Sequence, residues 1–139
     1  MRDQLRPKLP DKSCDISIQG LAHIGDAVFE LMVRTWLCIE GTSTAKRLHD
    51  QAVTYVSAKA QAAAVVVILP ELDDDEISVY KRGRNAHLKS IPKGCTHEEY
   101  HTATGLEALF GHLYMHGRTK RLNELFDMIT LNGEMRGLD

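Results

Sequence analysis

The stretch LAHIGDAVFELMVRTWLCI, residues 21–39, decides the fold class of this chain. Its apolar residues recur at intervals of three and four positions, which is the pattern of a helix that buries one face. The stretch therefore predicts a long core helix that ends before Gly41. Asp26 stands out inside it, because the neighbouring residues are small or apolar. The members of the apolar stripe are Leu21, Ile24, Val28, Leu31, Met32 and Trp36.

Three further helices are predicted in the middle of the chain. One begins near Thr44, and the next covers 58–69 with Ser57 as its N-cap. The third begins at the acidic run 73–75, because carboxylates are favourable at the positive end of a helix dipole. It continues to Arg84. The same helical periodicity is thus found well beyond the first stretch.

The second half of the chain holds a loop and two more predicted helices. Residues 85–96 include Pro92 and have no apolar period, so we expect a basic loop there. Thr96 and Glu99 have the spacing of a capping box, which predicts the start of a long helix that ends at Gly117. A last helix is predicted to end before position 133. The fold class that follows is all-α, in a single compact helical domain.

Length and composition agree with one such domain. The chain has 139 residues, which suits one hydrophobic core and not two. We place an N-terminal extension at 1–15, the helical domain at 16–132 and a C-terminal tail at 133–139. No run approaches the roughly 20 apolar residues of a membrane span, and the N-terminus lacks an apolar signal core. We therefore expect no membrane association and a cytoplasmic location. The three cysteines form no C-x-x-C pair and are expected to be reduced.

The formal net charge of −2 conceals a polarised distribution of charge. An acidic block over 71–76 is followed by a basic segment, 81–93, that contains no acid. The overall charge argues only weakly against a nucleic-acid partner, because phosphate contacts are local. The basic segment is therefore a candidate surface for phosphate groups.

Two acids lie in surroundings that do not suit them. Asp26 follows Gly25 inside the first predicted helix, and Glu107 lies in the most apolar part of the long helix. Ionised carboxylates in such places are unfavourable unless they are paired or bound to a cation. If the two helices approach each other at their glycines, the two side chains form a set of hard oxygen ligands that suits Mg²⁺. The alternative from spacing alone is that each acid faces solvent or pairs with a nearby arginine.

Four short motifs change the balance between these interpretations. They occur in the order IGDAVFE (24–30), SAKAQA (57–62), KRGRNA (81–86) and EALFG (107–111). Together they resemble mini-ribonuclease III, the compact branch of the ribonuclease III family that has the catalytic domain and no separate double-stranded-RNA-binding domain. The resemblance spans residues 18–126.

The resemblance implies a homodimer with the ribonuclease III type of catalytic domain that hydrolyses phosphodiester bonds in double-stranded RNA. It assigns Asp26 and Glu107 as the catalytic residues and as the ligands of Mg²⁺, for which Mn²⁺ would substitute. Two further carboxylates of the larger family members correspond to Ala22 and Thr104 here, so we expect one firmly held ion. The products would carry 5′-phosphate ends. The expected substrate is precursor ribosomal RNA, at the ends of the large-subunit (23S) molecule.

Basic and amide side chains near these motifs are the candidates for RNA contacts. Arginines form forked hydrogen bonds to phosphate oxygens, and lysines supply point charges. Duplex RNA is read mainly by shape, phosphates and 2′-hydroxyls, so a basic loop beside a carboxylate site suits it. A solvated helix end is the alternative for the lysines individually, and a structural ion pair is the alternative for the first of them. The candidates are Lys59, Arg82, Arg84, Asn85, Lys89 and Lys93.

The residues alone leave two other functions possible, and they are also compatible with a dimer. A non-cleaving module that binds structured RNA would not need both acids. His49 and Asp50 are similar to the His-Asp pair of the HD phosphohydrolases, although such dipeptides are common by chance. The pairs of histidines four residues apart lack the glutamate of a zinc protease motif and are expected to be exposed. With Phe29, Trp36 and Ile39 the first predicted helix has more large apolar residues than one buried stripe needs, which is compatible with a two-fold interface.

Overall fold

The computed structural model describes residues 5, 7, 15–41, 44–86 and 90–131. They form the helices α1 (Ile18–Ile39), α2 (Ala45–Tyr55), α3 (Ala58–Ile68), α4 (Asp74–Arg84), α5 (His97–Met115) and α6 (Thr119–Leu131). A short 3₁₀ turn, Leu69–Glu71, follows α3. The predicted all-α fold is confirmed, and the domain boundaries at 15 and 133 stay predictions.

Side-chain caps fix where most of these helices begin. Ser17 Oγ accepts a hydrogen bond from Gly20 N at 3.0 Å, which starts α1 earlier than the predicted Leu21. Thr44 and Ser57 cap α2 and α3 as predicted. Complete capping boxes start α4 and α5. The partners are Asp73 with Glu76 and Thr96 with Glu99.

The long helix α5 is the centre of the core, and α1, α3, α4 and α6 pack around it. Phe29 of α1 is fully buried there, with its ring edge-on to Phe110 at 5.4 Å and to Phe126 at 6.0 Å between centroids. The interpretation of Phe29 and Trp36 as residues to spare for an interface is wrong, whereas the place of Trp36 in the core stripe is confirmed. Trp36 packs against Tyr55 of α2, because α1 is covered on a second side by that helix.

The predicted core stripe of α1 also contains one error. Leu31 was assigned to it, but its side chain is 58% exposed. Ile39, interpreted as a residue to spare for an interface, is 78% exposed. The uncovered apolar residues of α1 are therefore Leu31 and Ile39.

The backbones of α1 and α5 are in direct contact at two glycines. A Cβ atom on Gly25 would overlap the backbone carbonyl of Glu107, and a Cβ atom on Gly111 would overlap that of Leu21. No side chain fits between the helices at this level. A similar contact joins α4 to α5, where a Cβ on Gly83 would lie 2.6 Å from the Cβ of Ala108.

A buried ion pair ties α4 to α6. Glu76 is fully buried, and Arg121 donates to its two carboxylate oxygens at 2.8 and 2.9 Å. Burial alone would raise the pKa of Glu76, but the Arg121 hydrogen bonds and the backbone N–H of Asp73 outweigh it and lower the pKa. The acidic block over 71–76 is therefore not entirely a solvent-exposed surface, because Glu76 belongs to the core.

Two further observations concern the expectations from composition. Cys38 and Cys95 carry free thiols, whereas Cys14 lies outside the described residues. Within the described ranges no single helix has both the length and the apolar character of a membrane span. Two consecutive segments, Ala45–Tyr55 and Ala58–Glu71, have this length and character only when they are counted together, and the chain bends by 60° between them.

We expect Gly25→Ala to destabilise the fold by at least about 3 kcal/mol, because the new methyl group overlaps backbone and not a flexible side chain. Gly117→Ala is the matched control. Its Cβ would lie in open space, and only the positive φ of 69° opposes it, at about 1–2 kcal/mol. Urea unfolding measures the free energy of unfolding of both variants. Equal losses of this free energy would contradict the close contact of α1 with α5.

Candidate active site

An open cavity of about 430 Å³ lies between α1, α3, α5 and the segment that precedes α5. Carboxylate, amide, hydroxyl and ammonium groups line it, together with apolar atoms. This cavity brings together residues that are far apart in the chain. Its polar side chains include Asp26, Lys59, Gln61, Lys93, Thr104 and Glu107.

The glycine contact explains why the two predicted acids meet. Asp26 directly follows Gly25 on α1, and the backbone carbonyl of Glu107 is the group that touches Gly25. Both side chains line the cavity, and the charge of Asp26 acts on the carboxyl group of Glu107. Asp26 lies on the exposed side of the pair, whereas Glu107 is partly buried. The structure thus brings the two predicted acids together in one cavity, and their catalytic and metal-binding roles stay predictions.

The environment of Glu107 strongly disfavours a second negative charge. Burial is the largest cause, followed by the hydrogen bond and the charge of Asp26, and together they raise the pKa of Glu107 to about 8. The Gln61 amide opposes this rise by donating towards the carboxylate, although its Nε2 is not within ordinary hydrogen-bond distance of an acceptor among the described residues. Near neutral pH the protonated form of Glu107 is therefore favoured in the metal-free protein.

The donor set fits one hard divalent cation. A cation placed between Asp26 and Glu107 would offset the burial and the neighbouring charge that disfavour the ionised form of Glu107. Thr104, at one position of the family's additional carboxylates, is buried and donates its hydroxyl to Tyr100 O at 3.0 Å. In the described part of the chain no three His, Cys, Asp or Glu side chains form a preformed metal-binding group. Two protein ligands leave coordination positions for water and phosphate, which is typical of Mg²⁺.

The predicted RNA-binding residues fall into three places. Lys59 and Lys93 line the cavity with the acids. Arg84 lies over the ring of Tyr80, 5.7 Å from its centroid, and lines an adjoining groove that also contains Lys59. Arg82 and Asn85 line a separate depression. Lys89 lies outside the described residues. Only part of the basic segment is therefore beside the carboxylates.

Gln61 is the residue of this cavity that sequence reasoning missed. Its side chain is 2% exposed, and it stands among alanines and valines on α3. The usable signal is a single large polar residue inside an otherwise apolar helical run. Such a residue is rarely buried without a partner.

The histidines do not support a second metal-dependent function. His112 and His101 are half-buried, which contradicts the expectation of exposed histidines. His112 contacts Asp75 at 3.3 Å, and its ring lies 4.2 Å from that of His116. His49 lines a different depression with Arg34 and Cys38.

Comparison with known proteins gives consistent matches. The family described as Ribonuclease III domain matches residues 19–118. A Mini-ribonuclease 3 from Thermoanaerobacter sp. is 41% identical over 108 residues, covering 78% of this chain and 76% of the relative. A Mini-ribonuclease 3 from Desulfitobacterium hafniense is 44% identical over 121 residues, covering 87% and 76%. A crystal structure of a Fusobacterium nucleatum protein has a TM-score of 0.78 and 31% identity, covering 86% of this chain and 95% of that one.

We expect Glu107→Gln to stabilise the metal-free protein at high pH. Because the folded pKa of Glu107 is raised from 4.5 to about 8, the folded state binds more protons than the unfolded state in this window and loses stability as the pH rises. Glutamine removes that loss, which amounts to on the order of a few kcal/mol. Urea unfolding in EDTA at about pH 5 and about pH 9 measures the difference.

The exposed Glu98, on the same helix, provides the control variant Glu98→Gln. Its effect on the free energy of unfolding should vary little with pH. If Glu107→Gln has the same effect at both pH values, the raised pKa is contradicted.

Proposed function

The chain belongs to the ribonuclease III family and is an endoribonuclease, and we propose that it cleaves both strands of double-stranded RNA with Asp26 and Glu107 as its catalytic acids. The observation that carries this proposal is the convergence of the two carboxyl groups at the glycine contact between α1 and α5. A protein that only binds RNA gains nothing from two neighbouring acids in an open cavity of about 430 Å³.

In the proposed mechanism Asp26 and Glu107 would hold Mg²⁺, or Mn²⁺ in its place, in the cavity that they line. A bound ion would supply a water of lowered pKa and offset the charge that develops in an in-line displacement. Asp26 is the more exposed of the two acids, so the phosphate is proposed to approach from its side. No protein side chain needs to act as the nucleophile. The products are expected to carry 5′-phosphate and 3′-hydroxyl ends.

The basic residues are proposed to position the RNA backbone. Lys59 and Lys93 line the same cavity as the acids, so they are suited to the phosphates next to the cleaved bond. Arg84 lines the adjoining groove with Lys59, which suits it to a phosphate further along the strand. Arg82 and Asn85 are proposed as peripheral contacts, and Lys89 is proposed as a further RNA contact on the strength of the sequence alone. The six residues would read the shape of the duplex and not its sequence.

The remaining expectations are carried forward as proposals on the strength of the resemblance. We propose precursor ribosomal RNA as the substrate, at the ends of the 23S molecule, in the cytoplasm. We propose a homodimer with one site per subunit, supported by the uncovered apolar residues Leu31 and Ile39 on α1. The catalytic domain is proposed to span 16–132, between the extension 1–15 and the tail 133–139.

We expect Asp26→Asn to abolish cleavage of duplex RNA in Mg²⁺ while RNA binding is retained. Loss of a metal ligand removes several kcal/mol of transition-state stabilisation, which is at least about a thousandfold in rate. A cleavage assay on a labelled duplex, with EDTA as the blank, measures this effect, and a gel retardation assay measures binding. Asp50→Asn is the matched control.

Asp50 is exposed on α2 and is the acid of the alternative His-Asp pair, so its substitution should leave cleavage intact. Retarded but intact RNA with the unmodified protein in Mg²⁺ would favour the non-cleaving binder. If Asp26→Asn cleaves RNA at the normal rate, Asp26 is not a catalytic acid.

We expect Lys59→Ala and Arg84→Ala each to reduce the salt dependence of duplex RNA binding. Each phosphate contact contributes about one unit to the slope of the logarithm of the association constant against the logarithm of salt concentration. Titrations at several KCl concentrations in EDTA measure the slope. Lys46→Ala, an exposed lysine on α2, is the control and should leave the slope unchanged. An unchanged slope for Lys59→Ala or Arg84→Ala would remove that residue from the proposed interface.

A further inference from the structure

Gln61 occupies a position where an apolar residue would be expected. Its side chain is 2% exposed, and Ala60, Ala64 and Val65 are buried beside it on α3. Leucine has a similar size and would fill the space without any polar group. A buried amide without a partner lowers the stability of the fold. The glutamine is therefore not explained by packing.

The unpaired part of this side chain is its hydrogen-bond donor. Gln61 Nε2 is fully buried and has no hydrogen-bond partner among the described residues. The side chain lines the cavity that contains Asp26 and Glu107. A donor in this place is suited to an acceptor inside the cavity. The cavity holds two carboxyl groups, and that of Glu107 is the more buried of the two.

We propose that Gln61 is a positioning residue for the metal ligand Glu107. Its Nε2–H donates to one carboxylate oxygen of Glu107 when the other oxygen turns towards a divalent cation. The donor then gains the partner that it lacks, and the carboxylate is held in one orientation. This inference rests on the proposed function, since it assigns Gln61 a role in the same site.

The position of Gln61 supports a role behind the ligand. Among the residues that line the cavity, Asp26 is exposed, Glu107 is half-buried and Gln61 is buried, so the amide is the least accessible of the three groups. Lys59, two residues earlier on α3, is exposed and lines the same cavity. In this proposal α3 supplies Lys59 for the contact with RNA and Gln61 for the contact with Glu107. Hydrogen bonds from such supporting residues commonly change metal affinity by about 10- to 100-fold.

Direct measurement of Mn²⁺ binding tests the proposal without RNA. Electron paramagnetic resonance reports free Mn²⁺ in titrations of the whole protein and of its variants. We expect Gln61→Leu to weaken Mn²⁺ binding by about 10- to 100-fold. In EDTA its unfolding temperature should be equal to or above that of the unmodified protein, because the unpaired donor is gone. Cleavage should recover towards the normal rate as Mn²⁺ is raised to saturation.

Thr130→Val is the matched control. Thr130 is buried on α6, outside the cavity, and its hydroxyl donates to Phe126 O at 3.0 Å. Its replacement also exchanges a buried polar group for an apolar one, yet it should leave Mn²⁺ affinity unchanged. If Gln61→Leu does not fold, Gln61→Met gives the same reading with a more adaptable side chain.

The possible results separate this inference from the proposed function. An affinity of Gln61→Leu within about twofold of normal, well below the expected loss, overturns the role of Gln61. So does weaker duplex RNA binding in EDTA with unchanged Mn²⁺ affinity, because the amide would then contact RNA. If Asp26→Asn binds Mn²⁺ as tightly as the unmodified protein, the proposed metal site itself fails.

Discussion

The backbones of α1 and α5 touch at Gly25 and Gly111, and both the fold and the candidate site depend on this contact. On one side of it, Phe29 packs against Phe110 and closes the apolar core. On the other side, Asp26 meets Glu107 at the edge of a solvent-filled cavity. Any side chain at these glycines would separate the helices, which would open the core and move the acids apart. Folding and chemistry are thus linked by one geometric requirement.

The cavity is held in an arrangement that is unfavourable for the metal-free protein. Glu107 is kept in a setting that disfavours its charge, and Gln61 buries a donor without an acceptor. The apolar core around α5 and the buried pair of Glu76 with Arg121 stabilise the fold and offset this unfavourable free energy. Both unfavourable features would be relieved by the same event, a divalent cation held between the carboxylates. This is the behaviour expected of a functional site and not of a purely structural one.

Much of the fold and the centre of the site could be predicted from the sequence. The capping residues marked helix starts at Thr44, Ser57 and Thr96, because a cap is a local interaction between nearby residues. The pairing of Asp26 with Glu107 could be expected because glycines adjoin both acids and allow their helices to meet. The burial of Phe29 could not, since α1 packs against several helices and one periodic stripe cannot describe all these contacts. Arg82 and Asn85 were predicted to accompany Arg84, but neighbouring residues at the end of a helix point in different directions. Gln61 is marked in the sequence only as a polar residue in an apolar run, and the structure adds that its amide is buried and unpaired.

The most direct test of this account is a crystal structure of the protein grown with Mn²⁺, with the ion located from its anomalous scattering. We predict one strong peak within about 2.0–2.3 Å of a carboxylate oxygen from both Asp26 and Glu107, close to the distances for hard divalent ions. A peak bound elsewhere, or carboxylates that remain paired with each other at saturating Mn²⁺, would contradict the account.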